Sequence, residues 1–181
     1  MKYNKKFIAK NGVEITIENA EAYHGRAVIE IFNKTHEETD FLASYPDEKQ
    51  FDEEQECKYL AKKAESATEV ELLAIAGNKI VGFAGVDAVG TKYKVKHRAN
   101  FGISVLKEYW GLGIGRALTE SCIECAKNAG YTQLELSVVA DNDRAVSLYK
   151  KTGFKEYGRN PKGFNSRISG YQEFVYMLLE L

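Results

Sequence analysis

Three alternating glycines in front of a helical pattern are the most chemically suggestive feature of this sequence. Gly111, Gly113 and Gly115 follow a strand-like apolar run and open a stretch with helical spacing. Glycines let the backbone approach a ligand closely, and the first N–H groups of a helix have no partner within it. Such a turn suits phosphate or pyrophosphate. A glycine-rich turn is also typical of close packing between a strand and a helix, so the loop alone does not decide the function.

A dinucleotide-binding fingerprint, G-x-G-x-x-G after a strand, is the nearest alternative for this loop. Glu135 stands 20 residues after Gly115, which is the spacing of the acid that binds a ribose hydroxyl. Neither reading frame completes the pattern, because the third glycine is replaced by Arg116 in one frame and by Leu118 in the other. No Gly-Lys-Ser/Thr follows the loop, so a P-loop is also excluded.

A second motif, further along the chain, helps to interpret the glycine loop. Residues 142–154 read Asn-Asp-Arg-Ala-Val-Ser-Leu-Tyr-Lys-Lys-Thr-Gly-Phe, and residues 110–115 read Trp-Gly-Leu-Gly-Ile-Gly. Together they resemble the acyl-CoA-binding core of the GCN5-related N-acetyltransferases. That family carries the loop (Arg/Gln)-x-x-Gly-x-Gly/Ala and, later, the pattern Asn-x-x-Ala-x-x-Leu-Tyr-x-x-x-Gly-Phe, which is matched here at every fixed position. The motif resemblance spans residues 103–154, and the order of elements is similar across almost the whole chain.

The resemblance implies acetyl-CoA as the acyl donor and gives roles to individual residues. The strand before the loop would lend main-chain groups to the pantetheine arm, with the Val105 N–H polarising the thioester carbonyl. The loop amides would hold the pyrophosphate, with Arg116 adding positive potential. Tyr149 would protonate the departing thiolate. The residues implied to bind acetyl-CoA are Ile103, Ser104, Val105, Leu112, Gly113, Ile114, Gly115, Arg116 and Asn142. Taken without the resemblance, Tyr149 is equally typical of a helix aromatic packed on a sheet, and Asn142 of a helix cap.

The resemblance is incomplete at two positions. Trp110 replaces the first Arg or Gln of the loop, a variant associated with the branch that resembles ribosomal-protein and polyamine acetyltransferases. Asn100 stands where related sequences commonly carry an acidic general base, and an amide takes up no proton at pH 7. Candidate catalytic replacements are Glu173, on the last strand, and His97, whose ordinary pKa of about 6.5 suits proton transfer. An amine that loses its proton to water would need neither.

Charge is distributed unevenly, although the net charge is only −1. Residues 37–56, the acidic segment, hold nine acids against one base, Lys49, whereas residues 90–167 hold fourteen Lys or Arg against seven acids. Such separation is typical of two differently charged partners, and equally of solvated faces. We expect the basic part to meet the CoA phosphates. The acidic segment resembles the acceptor side of the family and would attract a cationic amine.

The sequence therefore predicts an acetyl-CoA-dependent N-acetyltransferase in which a neutral primary amine attacks the thioester directly within a ternary complex. The alternative is a non-catalytic acyl-CoA-binding module of the same fold, in which Asn100 marks lost chemistry. Nucleic acid is not an expected partner, because the basic stretch Lys92 to Arg98 is short and contains Tyr93 as its only Phe, Tyr or Trp. The acceptor and the acyl chain length stay open. A homodimer is common among proteins that resemble this one, and the sequence leaves the oligomeric state open.

The composition predicts a folded domain without a metal site or a membrane partner. The chain has 181 residues, of which 44% are hydrophobic and 28% charged. No apolar run approaches the roughly 18–20 residues of a membrane helix. The first residues also lack the apolar centre of a signal peptide, so we expect a cytoplasmic protein. Cys122 and Cys125 form a C-x-x-C without a second pair of ligands, and their spacing places both on the apolar face of a helix.

The elements that position these residues follow from periodicity and turn residues. Hairpins are predicted through Asn11-Gly12 and Gly77-Asn78. The predicted helices cover about 21–34, 53–65, the stretch from the glycines to Gly130, and 143–152. The predicted strands cover about 7–10, 13–17, 70–76, 79–89, 99–106, 133–139, 154–159 and 171–179. This order predicts one α/β domain over 1–181, with a mixed, mostly antiparallel sheet flanked by helices and an acyl-CoA-binding core over about 99–160.

Overall fold

A computed structural model describes residues 1–48 and 52–181, in which four helices pack on an eight-stranded sheet. The elements are β1 (Asn4–Ile8), β2 (Glu14–Asn19), α1 (Gly25–Glu38), α2 (Glu53–Glu65), β3 (Val70–Ala76), β4 (Lys79–Ala88), β5 (Arg98–Val105), α3 (Ile114–Asn128), β6 (Gln133–Val139), α4 (Asp143–Lys151), β7 (Lys155–Ser166) and β8 (Gly170–Glu180). The strand order is β1-β2-β3-β4-β5-β6-β8-β7. Among the strands of the described residues, only β5 and β6 pair in parallel. The α/β class and the mostly antiparallel sheet are thereby confirmed.

The two faces of the sheet carry different helices. Val28 of α1 and Leu60 of α2 pack against Leu73 on one face, the α1/α2 face. Leu118 of α3 and Tyr149 of α4 belong to the larger core on the other face, the α3/α4 face. Because helices pack on both faces of the sheet, β3 is buried at every residue from 70 to 74. Each fully buried aliphatic side chain of this kind stabilises the fold by about 1.5–3 kcal/mol.

The parallel pair opens into a wedge. β5 and β6 pair only at Arg98–Asn100 with Gln133–Glu135, where the Arg98 guanidinium also donates to the Glu135 carboxylate at 2.7 Å. Beyond these residues β5 stays paired with β4 as far as Val105, and β6 stays paired with β8 as far as Val139. Residues 101–105 and 136–139 therefore face each other without pairing, and we call the opening between them the β5–β6 wedge.

Several predicted element boundaries are wrong. The first strand, predicted over 7–10, lies at Asn4–Ile8, and the helix predicted to end at residue 34 ends at Glu38. The helix predicted over 21–34 begins at Gly25, because Ala22–His24 form a separate 3-10 turn in which His24 Nδ1 accepts the Glu21 N–H at 3.0 Å. The strand predicted over 154–159 runs on to Ser166, because its pairing with β8 resumes after an irregularity between residues 160 and 164. The last two differences depend on contacts that local sequence patterns do not contain.

The cysteines lie where the apolar spacing predicts. Cys122 and Cys125 are buried on α3, and burial raises the pKa of both thiols, that of Cys125 to about 11. In the described part of the chain, no three or more His, Cys, Asp or Glu side chains gather into a group that could hold a metal ion. None of the helices in these residues has the length and apolar character needed to cross a bilayer.

Candidate active site

Gly111 and Gly113 give the glycine loop, residues 111–115, a backbone that other residues rarely adopt. Their φ angles are +80° and +96°, in the left-handed region that favours glycine. A Cβ built on either residue would meet nothing within 4 Å, so the loop borders open space. Gly113 is the N-cap of α3 and provides no side-chain cap, while the first helical bond runs from the Ala117 N–H to the Gly113 carbonyl at 3.0 Å. The preceding N–H groups are thus available to an anion.

β5 and α4 converge on the start of α3. A Cβ on Gly115 would lie 3.5 Å from Leu148 Cδ2 of α4 and 4.0 Å from Ile103 Cδ1 of β5. The Trp110 indole donates to the Val105 carbonyl at 2.7 Å, and the Arg144 guanidinium lies 4.9 Å from the centre of the Trp110 ring. Trp110 therefore links the end of β5 to the first turn of α4. Sequence reasoning missed Arg144, although it lies inside the second motif.

Main-chain groups of β5 point into the β5–β6 wedge. The Leu106 N–H donates to the Val81 carbonyl at 3.0 Å, toward β4. Because main-chain groups alternate in direction along a strand, the N–H groups of Val105 and Ile103 point the other way, into the wedge. Ser104 of β5 pairs with Phe83 of β4, so the side chains of both residues lie on the α1/α2 face of the sheet. The residues expected to contact pantetheine thus offer unpaired backbone on an open edge.

Two expected ligand-binding side chains have partners within the protein. Arg116 is 63% exposed and its guanidinium donates to Glu120, one helical turn further on, at 2.8 Å. Asn142 is the N-cap of α4, and its Oδ1 accepts the Ala145 N–H at 3.2 Å. This bond uses only the side-chain oxygen of Asn142 and leaves its N–H groups for another acceptor.

Tyr149 lies on α4 under the wedge and is 8% exposed. Its ring meets those of Phe101 at 6.1 Å and Phe154 at 5.9 Å, and burial raises the pKa of its hydroxyl above the ordinary value. The hydroxyl makes no hydrogen bond to any described residue. The residue is not completely enclosed, since 8% of its surface is exposed. Tyr149 is thus a packing residue whose hydroxyl stays protonated at neutral pH.

The candidate bases lie at different distances from the loop. Asn100 is exposed at the apex of the wedge. Glu173 lies on β8 beside the open end of the wedge, where its backbone carbonyl accepts the Ala140 N–H, and its carboxylate accepts a bond from Arg159 at 2.7 Å. His97 is exposed at the amino end of β5, roughly 25 Å along the strand from Val105. The structure therefore does not bring His97 to the glycine loop.

Asp40, in the acidic segment, is used to build the fold. Its carboxylate accepts hydrogen bonds from Ser166 Oγ at 2.6 Å, from the Tyr45 hydroxyl at 2.9 Å and from Gln172 Nε2 at 3.2 Å. The bonds from Ser166 and Tyr45 lower the pKa of Asp40, and all three bonds hold the loop after α1 against the β7–β8 hairpin.

Other acids of the segment are engaged as well. Asp47 accepts two bonds from Arg167, at 2.7 and 2.8 Å, and Glu38 accepts the Lys107 N–H at 2.7 Å. Lys49, the one base of the segment, lies outside the described residues. Much of the negative charge noted in the sequence therefore anchors loops.

This arrangement corresponds to a known family. The family model described as "Acetyltransferase (GNAT) family" matches residues 26–154, more than half of the chain. The chain therefore belongs to the GNAT acetyltransferase family.

Individual relatives agree with this assignment. An N-alpha-acetyltransferase RimI of Mycobacterium tuberculosis is 34% identical over 102 residues, which cover 56% of this chain and 61% of the relative. A GNAT-family acetyltransferase structure from Streptococcus pneumoniae superimposes with a TM-score of 0.88 at 29% identity, covering 92% of this chain and 99% of the other. The same fold occurs in a Salmonella typhimurium protein described with its cofactor acetyl-CoA, with a TM-score of 0.79 at 18% identity, covering 92% and 94%. The chain spans about half to two thirds of the length of the curated relatives it matches first.

Proposed function

We propose that this protein is an acetyl-CoA-dependent N-acetyltransferase that moves an acetyl group to a primary amine within a ternary complex. The observation that carries the proposal is the convergence of three features on one side of the sheet. These are the uncapped start of α3, the unpaired edge of β5 and the Tyr149 hydroxyl. A family whose members are named acetyltransferases has the same fold. Acetyl-CoA supplies an activated thioester, and this chain's residues bind it and direct the amine to it.

The residues around the glycine loop fit the phosphate end of acetyl-CoA. Open space above Gly111 and Gly113 lets the backbone approach the pyrophosphate, and the N–H groups of residues 114–116 would donate to it with the favourable helix dipole. Arg116 and Arg144 add positive charge, once they exchange their present contacts for phosphate. The N–H groups of Asn142 would bind a polar atom further along the molecule.

The wedge and Tyr149 would serve the transfer itself. The Val105 N–H, directed into the wedge, would donate to the thioester oxygen as negative charge develops on it. The neutral amine would attack the carbonyl carbon, the carbon–sulfur bond would break, and Tyr149 would give its proton to the departing sulfur. Because burial raises the pKa of Tyr149, this proton stays in place at neutral pH.

The residue that would remove the amine proton is chosen by its distance from the wedge. Of the two candidate bases, Glu173 is favoured over His97, because it lies beside the open end of the wedge. Its ion pair with Arg159 would have to open for it to accept a proton. An acceptor whose pKa is modest would instead transfer its proton to water, and we expect this route to dominate at pH values above the pKa of the amine.

The acceptor, a cytoplasmic location and the oligomeric state stay predictions. Relatives are named N-alpha-acetyltransferase, L-amino acid N-acetyltransferase and mycothiol acetyltransferase, so their names do not agree on one acceptor. The alternative of a non-catalytic acyl-CoA-binding module rests on Asn100.

A product assay separates the two functions. Purified protein is incubated with acetyl-CoA and a panel of amines, and acetylated products are detected by mass spectrometry. A product that is lost in Tyr149→Phe supports the enzyme. Binding of acetyl-CoA without any acetylated product across the panel would instead favour the module, and absence of binding would overturn both.

A further inference from the structure

A cavity of about 730 Å³ lies on the α1/α2 face of the sheet, opposite the glycine loop. Its volume is within the range of small-molecule sites. The side chains that matter for its chemistry are the apolar Val28, Phe32 and Phe83 and the polar Glu56, Tyr59 and Glu71. Its walls are thus mainly apolar, with carboxylates contributed from α2, from β3 and, at Glu48, from the loop after α1. Glu48 already accepts the Tyr45 N–H at 2.8 Å and pairs with Arg167 at 3.8 Å.

Glu56 and Glu71 bring carboxylates into this cavity although each is more than nine-tenths buried. Glu56 is 9% exposed, and its side chain makes no hydrogen bond or ion pair with any described residue. Burial raises its pKa. Glu71 is 8% exposed, and its Oε2 would lie only 2.5 Å from a Cβ on Gly85. The glycine in β4 therefore leaves the room that the buried carboxylate occupies.

The nearest cation does not neutralise these two acids by direct contact. Lys63 is 3% exposed, and its ammonium donates to the Val86 carbonyl at 3.1 Å and to the Asp87 carboxylate. A buried carboxylate without a paired cation is costly, and a cationic ligand offsets that cost. The cavity is therefore suited to a positive charge supplied from outside.

The cavity adjoins the strand that is proposed to bind acetyl-CoA. Phe83 lines the cavity and pairs with Ser104 of β5, whose side chain lies on the same face. A molecule that occupies the cavity can therefore extend past Phe83 toward the wedge. Its far end would be held beneath α1 and α2.

We propose that this cavity binds the ammonium end of an aliphatic acceptor that carries a second, reactive amine. Glu56 and Glu71 bind the ammonium, and Phe32 and Phe83 contact the alkyl stem. This inference rests on the proposed function, since it assigns the substrate class of the same enzyme as linear diamines and amines with a second cationic group.

Binding of such a ligand releases protons. Burial raises the pKa of Glu71 to about 8; Asp87 and Glu56 push it in the same direction, whereas Lys63 and a bond from Tyr59 oppose them. At pH 7 Glu71 is mostly protonated in the empty cavity, and a bound ammonium favours the carboxylate. We therefore expect a net release of protons when the dication binds at pH 7.

Calorimetric titration of the full chain with 1,5-diaminopentane, in buffers of different ionisation enthalpy, measures affinity and proton release together. The wild type should bind the diamine and release protons. Glu56→Gln and Glu71→Gln should each weaken binding roughly 10- to 100-fold, as expected for losing a charged hydrogen-bond partner, and Glu71→Gln should abolish the proton release. Glu53→Gln, an exposed position on the same helix, is the matched control and should bind within about twofold of wild type. Circular dichroism and thermal unfolding verify that each variant is folded.

Two results would overturn the assignment. One is wild-type affinity in both Glu56→Gln and Glu71→Gln; the other is equally tight binding of 1-pentanol, which has the stem without the charge. Failure of the wider function is distinguishable from these. If the diamine binds in a Glu56- and Glu71-dependent way but acetyl-CoA does not bind, the proposed function fails and the cavity assignment stands. If amines are acetylated but the glutamine variants bind the diamine normally, the cavity assignment alone fails.

Discussion

Replacement of Tyr149 by Phe isolates the proposed proton donor from its packing role. The phenyl ring would keep the contacts with Phe101 and Phe154, at 6.1 and 5.9 Å between ring centres. The hydroxyl has no hydrogen-bond partner among the described residues, so its removal leaves no protein group unsatisfied. We therefore expect the free energy of unfolding to change by less than about 1 kcal/mol.

The same change should be large in turnover. Loss of a positioned general acid typically lowers the rate about 10²- to 10⁴-fold. Affinity for acetyl-CoA should stay within about twofold, because the hydroxyl is proposed to act only on the departing sulfur. Burial raises the pKa of Tyr149, so wild-type kcat should show no decline from this group between pH 6 and 9.

The assay is steady-state product formation by mass spectrometry, with acetyl-CoA affinity measured by calorimetry on the same samples. Tyr131→Phe is the matched control, since Tyr131 is 6% exposed and lies beside the amino end of β6, away from the loop. A Tyr149→Phe enzyme with wild-type kcat would refute the acid role. Equal losses in both variants would show that the effect is structural.

Three further predictions concern other parts of the molecule. A thiol reagent at pH 8 should modify only the half-buried Cys57 quickly in the folded protein, because burial raises the pKa of the Cys122 and Cys125 thiols. All three cysteines should react after unfolding. Fast modification of two or more cysteines in the folded protein would contradict this prediction. The free energy of unfolding of the wild type relative to Glu71→Gln, measured by urea titration, should fall from pH 5 to pH 8, because the folded pKa of Glu71, about 8, exceeds its unfolded value. Burial lowers the pKa of His24 and His36, whose opposite contribution is common to both proteins, and a difference that does not change with pH would refute the role of Glu71. Arg144→Gln should weaken acetyl-CoA binding about fivefold and flatten its salt dependence in calorimetry, and identical salt dependence would remove the phosphate role.

The sequence predicted local features well where local physics decides them. The start of α3 after the glycines is one example, and glycine's missing side chain permits the left-handed backbone that the structure shows at Gly111 and Gly113. The predicted bounds of α2, β3 and β6 agree with the structure, because apolar periodicity and turn residues define them. The start of α1 was wrong, since the ring of His24 folds back on Glu21 instead of continuing the helix.

Contacts in the site could be predicted only where the two residues are near each other in the sequence. The Arg116–Glu120 pair has the spacing of helical neighbours, so sequence reasoning could have found it. The bond between Asp40 and Ser166 joins residues 126 positions apart and has no local signal. The cavity likewise draws Glu56 and Glu71 from α2 and β3, which periodicity describes only as separate elements.

Thermal unfolding with and without acetyl-CoA tests the central claim most directly, with NADH as the control ligand. A ligand at one hundred times its Kd adds about 2.7 kcal/mol of stability. For a chain of this size that raises Tm by roughly 5–10 °C. We expect this increase with acetyl-CoA and none with NADH. An unchanged Tm at saturating acetyl-CoA would mean that the glycine loop is a packing turn, and the proposed function would be wrong.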